Sequence, residues 1–201
     1  VFEAKLPRFA PPEWFFWVRP VREGEFTRSG KPRQQVNDLD FLVHQATVLN
    51  LHFQDWVRSW AGWDNGVQYV PGPVKHAGRV IEKCIRAYGR DAAAITDLVR
   101  CTVVYPTLQG VFRFFVALRE RSDKGGTSMI RIRRVKNRLA LDYNAEAMSA
   151  GYRDLAILVE VGWLERWSTI EFLPVKDWGE ETSRHICEIQ VHVSPVYDVK
   201  K

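Results

Sequence analysis

The strongest constraint on the fold is a strict alternation near the end of the chain. Between Ile186 and Val193 the odd positions are all apolar, whereas positions 188, 190 and 192 are Glu188, Gln190 and His192. Successive side chains of a β-strand point to opposite faces of a sheet, so the odd positions must face a core. The opposite face then carries a carboxylate, an amide and an imidazole in a row. The pattern predicts a strand with one core face and one functional face, and a solvated polar face is the alternative.

The hydrophobic periodicity changes from helical to strand-like along the chain. Amphipathic helices are predicted over 38–62 and 73–88, followed by a β-rich run at 98–105 and a helix at 108–120. Further strands are predicted at 130–135, 152–161, 169–173 and 186–193. Several strands without long helices between them indicate an α+β fold, a mixed sheet flanked by helices. The apolar side of the second helix is predicted to comprise Val74, Ala77, Ile81, Cys84, Ile85 and Tyr88.

Residues 1–36 lack a sustained period, so we expect an arm and helical extension over 1–70 and a domain over 71–201. Loops are predicted at 63–72, 124–126 and 142–151. The chain begins without Met and ends just after a strand, which is typical of a fragment of a longer protein.

The overall composition restricts only the general class of protein. The chain has 201 residues with 46% hydrophobic and 26% charged content, which is ordinary for a globular domain. No apolar run approaches the roughly 20 residues of a membrane span, so no membrane partner is expected. The three cysteines, Cys84, Cys101 and Cys187, have no close pairing, which favours buried thiols in a reducing, cytoplasmic compartment. The net charge of +5 is a mild excess, so local clusters of charge matter more than the total.

Two features beside the first predicted strand of the domain suit a nucleotide and a metal ion. Asp97 opens that strand, and Mg²⁺ typically takes one or two carboxylates together with phosphate oxygens. A turn or helix-cap role is the alternative. Lys75, Arg79, Lys83 and Arg86 recur at helical spacing and share one face. Such a row of cations suits a triphosphate, and a solvated basic face would give the same pattern.

Two later segments add a basic run and an aromatic ring. The basic run over 131–138 lies on and after a predicted strand, where Arg can grip phosphate bidentately. A charged edge strand is the alternative. Tyr152 and Arg153 follow Gly151, so the ring could stack on a base and the guanidinium could stack or bind phosphate. A Tyr buried at the start of a strand is the alternative. Four polar segments in one domain predict a shared cleft.

These segments resemble the synthetase domain of the RelA/SpoT family. Members of that family move pyrophosphate from ATP to the 3′-hydroxyl of GTP or GDP, which makes (p)ppGpp. The resemblance covers roughly residues 73–195 and implies a nucleotidyltransferase-like fold. It rests on Asp97, on Gly151-Tyr152-Arg153, on Glu188-Ile189-Gln190, on Arg79 and Lys83, and on Lys136-Asn137-Arg138.

The residue patterns and the resemblance together predict a role for each residue. Asp97 and Glu188 would hold Mg²⁺, and Glu188 would accept the proton of the hydroxyl. The ATP phosphates would be bound by Lys75, Arg79, Lys83 and Arg100. The other nucleotide-binding residues would be Lys136, Arg138, Tyr152, Arg153, Gln190 and His192.

Three departures from the family pattern concern the acceptor. Ala150 stands where the best-known synthetases have Asn, Ala156 where they have His, and His192-Val193 where they have Arg-Thr. We therefore expect weaker discrimination between guanine and adenine acceptors. Two alternatives stay open. One is transfer to the 3′ end of tRNA, with the basic run on the RNA backbone. The other is binding without turnover, with the aromatic arm at 14–17 contacting a partner or a second copy in a homo-oligomer.

Overall fold

A computed structural model of the chain describes residues 31–62, 65–122, 130–162 and 184–197. The helices are α1 (Leu39–Ala61), α2 (Ala77–Tyr88), α3 (Leu108–Ser122), α4 (Ala145–Ser149) and α5 (Ser194–Tyr197), with a 3-10 turn at Ala92–Ala94. The strands are β1 (Gln68–Pro71), β2 (Arg100–Tyr105), β3 (Ile130–Asn137), β4 (Leu155–Gly162) and β5 (Arg184–Val193). The predicted strand at 169–173, the loop at 124–126 and the arm at 14–17 lie outside the described residues.

The strands form one five-stranded mixed sheet in the order β1-β2-β5-β4-β3. The neighbours β2 and β5 run parallel, with Arg100 opposite Glu188, and the other three pairs are antiparallel. The predicted α+β fold with a mixed sheet flanked by helices is confirmed. The predicted boundary at residue 70 falls within β1.

One face of the sheet carries the hydrophobic core. The odd positions of β5 from Cys187 to Val193 are buried there, as the alternation predicts. Helix α1 begins at Asp38, whose carboxylate accepts a hydrogen bond from the Phe41 amide, and it contributes Leu49 and Phe53 to the same core. Burying one such side chain contributes about 1.5–3 kcal/mol. All three cysteines are buried free thiols, as predicted. No helix among the described residues has both the length and the hydropathy needed to cross a bilayer.

A bulge in β3 decides which of its side chains face away from the core. The register against β4 shifts between Ile132 and Arg134. Residues two apart on a strand normally share a face, and the extra residue of a bulge breaks that rule. Ile132 is therefore buried with the core, whereas Arg134 and Lys136 pair with Leu158 and Ala156 on the opposite, polar face.

Two local predictions are wrong, and a third is wrong in part. The predicted loop over 63–72 contains β1, and the predicted loop over 142–151 contains α4. The chain at the end of β1 lies so close to β2 that a Cβ on Gly72 would be 2.2 Å from the Arg100 carbonyl oxygen. Only glycine fits at that approach.

The third prediction is the apolar side of α2, which is right for Cys84, Val74 and Tyr88 but wrong for Ala77, Ile81 and Ile85. Val80 and Cys84 are buried, whereas Ile81 and Ile85 are 48% and 53% exposed. Each exposed residue follows a buried one, which turns it about 100° round the helix axis. The ion pair between Lys83 and Asp97 tethers the helix in this orientation.

Candidate active site

A cleft of about 870 Å³ opens where the chain entering β2 meets the polar face of β5. Asp97 and Glu188 both line it, together with Lys83, Arg134 and Lys136. The parallel pairing of β2 and β5 is the cause, because the Glu188 amide donates a 2.9 Å hydrogen bond to the carbonyl of residue 99. Two carboxylates that are 91 positions apart in sequence are thereby brought to one cleft.

Asp97 lies between two lysines. Its Oδ2 accepts hydrogen bonds from Lys75 Nζ at 2.7 Å and from Lys83 Nζ at 2.8 Å. Burial raises the pKa of Asp97, but the hydrogen bonds and charges of both lysines outweigh it, so the pKa lies below its ordinary value. At Lys83 burial lowers the pKa, but the hydrogen bond and charge of Asp97 outweigh it, so the pKa of Lys83 is raised. Asp97 is therefore an anion at neutral pH, with one oxygen already engaged.

Glu188 has the opposite shift. Burial raises its pKa, and the negative charge of Asp97 raises it further. A hydrogen bond of 3.0 Å from Gln190 Nε2 to Oε2 acts against that rise and orients the carboxyl group. A carboxylate with a raised pKa binds a proton more readily, which is what a general base requires.

The donor atoms of this pair fit a magnesium ion. Asp97 Oδ1 is buried and has no hydrogen-bond partner among the described residues, which is costly unless a ligand engages it. Hard carboxylate oxygens suit Mg²⁺, which commonly takes one or two of them and completes its shell with water and phosphate oxygens. The described parts of the chain contain no group of three or more His, Cys, Asp or Glu that could hold a metal ion. The donor set therefore fits Mg²⁺ shared with a phosphate ligand.

The cations of α2 line a groove that adjoins the cleft. Lys75, Arg79, Lys83 and Arg86 border a depression of about 450 Å³, and Lys83 also borders the cleft. The structure thus brings the predicted basic row together, although Lys75 precedes the helix. Arg86 is also bonded to Glu82 one turn earlier, at 2.6 Å. A polyphosphate in the groove would meet Lys83 where the groove opens towards Asp97.

Arg100 is not brought to that cleft. It lines a separate depression of about 250 Å³ together with Gly72, Pro73, Thr102 and Gln190. Gln190 thus faces this depression and also bonds to Glu188.

Tyr152 has polar neighbours around its ring. Its hydroxyl is 3.1 Å from His192 Nε2, and the Arg138 guanidinium lies 5.8 Å from the ring centroid. Arg138 is held in turn by an ion pair with the buried Asp154. Arg, Tyr and His are therefore assembled at one place, where a ring and a cation could face a base.

Arg153 is used inside the fold. Its guanidinium donates hydrogen bonds of 3.0 Å to the carbonyls of Ala140 and Tyr143, and one of 3.3 Å to that of Arg138. It therefore ties down the chain between β3 and α4, and so steadies Arg138 beside Tyr152.

Sequence reasoning included Arg134 in the basic run over 131–138 and Asp154 directly after Gly151-Tyr152-Arg153, but it gave neither residue a role in the site. Arg134 reaches the cleft only because of the β3 bulge, and nothing in the alternation of the strand indicates that bulge. Asp154 is 1% exposed and follows the quoted Gly-Tyr-Arg directly. A charged residue at the start of a buried strand is the signal that would have given it a role.

No family model and no curated protein match the chain. Solved structures do. The small alarmone synthetase 1 from Bacillus subtilis, bound to its product pppGpp, is similar at a TM-score of 0.51 and 15% identity, over 78% of this chain and 71% of that one. The chain has the fold of the small alarmone synthetases. The resemblance to the RelA/SpoT synthetase domain is thereby confirmed at the level of the fold.

Two further structures share this fold. A GTP pyrophosphokinase family protein from Streptococcus pneumoniae matches at a TM-score of 0.51 and 18% identity, over 80% of this chain and 70% of that one. The Type VI effector Tas1, in complex with its immunity protein, matches at a TM-score of 0.52 and 16% identity over 79% of this chain. The chain spans 62% of the length of that matched protein.

Proposed function

We propose that this chain is a pyrophosphotransferase that moves the β,γ-pyrophosphate of ATP to the 3′-hydroxyl of a guanine nucleotide. The observation that carries the proposal is the convergence of Asp97 and Glu188 on one cleft beside a cationic groove. Three features of that cleft suit the reaction: a carboxylate with an available oxygen, a second carboxylate with a raised pKa, and several cations. The shared fold with alarmone synthetases supports the same reaction class.

Positioning and charge neutralisation supply most of the catalysis in phosphoryl transfer. Lys75, Arg79 and Lys83 would bind the triphosphate of ATP along the groove. Asp97 and Glu188 would hold Mg²⁺, which when bound neutralises phosphate charge and orients the phosphate oxygens. Displacement of one lysine from Asp97 Oδ2 by the incoming triphosphate would expose a second oxygen of that carboxylate.

In the transfer step the 3′-oxygen of the acceptor attacks the β-phosphorus of ATP. The bond from that phosphorus to the oxygen bridging the α-phosphate breaks, and AMP leaves. Glu188 would take the proton of the hydroxyl on the carboxylate oxygen that does not hold Mg²⁺. Tyr152 would stack on the acceptor base, with Arg138 and Lys136 towards its phosphates.

The acceptor is the part of the proposal that the test must decide. Incubation with γ-labelled ATP, Mg²⁺ and one of GDP, GTP, AMP or tRNA transfers the label to whichever acceptor is used. Labelled GDP or GTP supports alarmone synthesis, and labelled tRNA would replace it with the toxin-type reaction. Glu188→Gln is the control, and its labelling rate should be at least about 100-fold lower.

Binding without turnover is the remaining alternative. Calorimetry with a non-hydrolysable ATP analogue and GDP tests it. Tight binding of both nucleotides with no labelled product from any acceptor would overturn the proposed enzyme and leave a nucleotide-binding domain.

A further inference from the structure

A segment just before α1 lies against the candidate active site, and Arg33 in that segment lines the cleft. It pairs Arg33 with Asp91, and the Asn37 side chain accepts hydrogen bonds from the Ala92 and Ala93 amides, the shorter at 2.8 Å. Gln34 lies between these two residues and is 5% exposed. The segment is thus fastened to the turn that leads to Asp97.

The side chain of Gln34 is bonded to two distant parts of the backbone. Its Nε2 donates to the Ile95 carbonyl at 3.0 Å and to the Ile186 carbonyl at 3.1 Å. Its Oε1 accepts from the Ile186 amide at 2.8 Å. The pairing of β2 with β5 begins only at Arg100 and Glu188, so it does not extend to Ile186. There the side-chain amide of Gln34 makes the backbone hydrogen bonds that a neighbouring strand would otherwise make.

The two bonded residues have matching positions relative to the candidate carboxylates. Ile95 precedes Asp97 by two residues, and Ile186 precedes Glu188 by two residues. On the far side of Asp97, the carbonyl of residue 99 is bonded to the Glu188 amide at 2.9 Å. The loop carrying Asp97 is therefore fastened to β5 at both ends, once by the strand ladder and once by Gln34.

We propose that Gln34 is a positioning residue that sets the separation of Asp97 from Glu188. This inference rests on the proposed function, because the separation matters only where both carboxylates act on one ligand. Without Gln34 the loop would be fastened to β5 at one end only. A displacement of about 1 Å in a reacting group can cost about 100-fold in rate.

The test compares two buried glutamines. Gln34→Met keeps the length of the side chain and removes its hydrogen bonds. Gln45→Met is the matched control, because Gln45 is also buried, at 1% exposure. Its side chain is bonded at 3.2 Å to Nδ1 of His185, which is the residue before Ile186 and lies on the core face of β5. Both variants lose a buried amide beside β5, and only one loses the bridge.

We expect Gln34→Met to lower kcat by about 10- to 100-fold while the KM for ATP changes by less than about threefold. Its affinity for Mg²⁺, measured by calorimetry with a non-hydrolysable ATP analogue, should fall about tenfold. Gln45→Met should keep both quantities within about twofold of wild type. Equal losses in the two variants, or an unchanged kcat and Mg²⁺ affinity in Gln34→Met, would overturn the inference.

Two further measurements keep the inference separate from folding and from the proposed function. If Gln34→Met does not unfold cooperatively, Gln34→Asn replaces it, because the shorter amide cannot span both carbonyls. If wild-type protein labels no acceptor, the proposed function fails, and crystal structures of wild type and variant decide the inference. An Asp97 displaced from Glu188 in the variant supports it, and an unchanged separation overturns it.

Discussion

The two faces of β5 differ in what they contribute. On one face Cys187, Ile189 and Val191 are completely buried and belong to the core. On the other, Glu188 is half-buried in the cleft, and its pKa is raised by burial and by Asp97. A raised carboxyl pKa means that ionising Glu188 at neutral pH costs the folded state free energy. The core face therefore stabilises the fold, and the polar face retains a charge at some expense of stability.

A histidine on each face sharpens this comparison. His185 lies on the core face, and burial lowers its pKa to about 3, so it is neutral at physiological pH. His192 lies on the polar face and is only 1% exposed, with its Nε2 3.1 Å from the Tyr152 hydroxyl. Burial alone therefore does not separate structure from function. What separates them is whether a side chain faces the core or the residues of the site.

The largest expected effect is on the polar face. Glu188→Gln should lower kcat by about 10²–10⁴-fold, which is the usual contribution of a general base. The unfolding temperature should stay the same or rise, because the neutral amide removes a charge that the fold disfavours. Turnover assays and thermal unfolding on the same preparation check both results. Full activity in this variant would exclude Glu188 as the base.

The second effect is on the core face, one residue along the strand. Ile189→Ala should lower the free energy of unfolding by about 2–5 kcal/mol, because it opens a cavity in a packed core. Urea denaturation measures the loss, and substrate KM in the folded fraction should change little. A loss below about 1 kcal/mol would contradict the assignment of this face to the core.

The third effect concerns the aromatic ring of the site. Tyr152→Ala should weaken acceptor binding by about 10- to 100-fold, since stacking contributes about 1–3 kcal/mol per base, and ATP affinity should hold. Tyr152→Phe keeps the ring and removes the hydroxyl that contacts His192 Nε2, so acceptor binding should change little. Calorimetric titration with GDP compares the three proteins. Normal acceptor binding with reduced unfolding temperature in the alanine variant would make Tyr152 a purely structural residue.

The effect that is smallest near neutral pH is a pH dependence of stability that belongs to the core face. The folded-state pKa of His185, about 3, lies below its unfolded value near 6.5, so between these values the unfolded chain binds more protons. Stability should therefore fall as the pH drops through this window, by up to about 1.4 kcal/mol per pH unit. His185→Leu should flatten that slope in urea titrations from pH 7 to 4. Asp97 would add its own loss only at lower pH, because its pKa is depressed below 3.8.

Much of the fold follows from local patterns. The first helix lies within one residue of its predicted range, 38–62, and the alternation of β5 assigns its faces correctly. The predicted apolar side of the second helix is right for Cys84, which is buried, and wrong for Ile81 and Ile85, which are exposed. The local sequence of a helix can allow more than one apolar side. Which side packs against the core is decided by contacts with residues elsewhere in the chain.

The sequence by itself determined the strand faces and the candidate carboxylates, because period-two alternation and the cost of burying a charge act locally. Only the tertiary structure decided what surrounds those carboxylates. The β3 bulge brings Arg134 to the cleft, and Gln34 bonds Ile95 and Ile186 across 61 and 152 positions of sequence. Such contacts depend on the order of strands in the sheet, and no local pattern encodes that order.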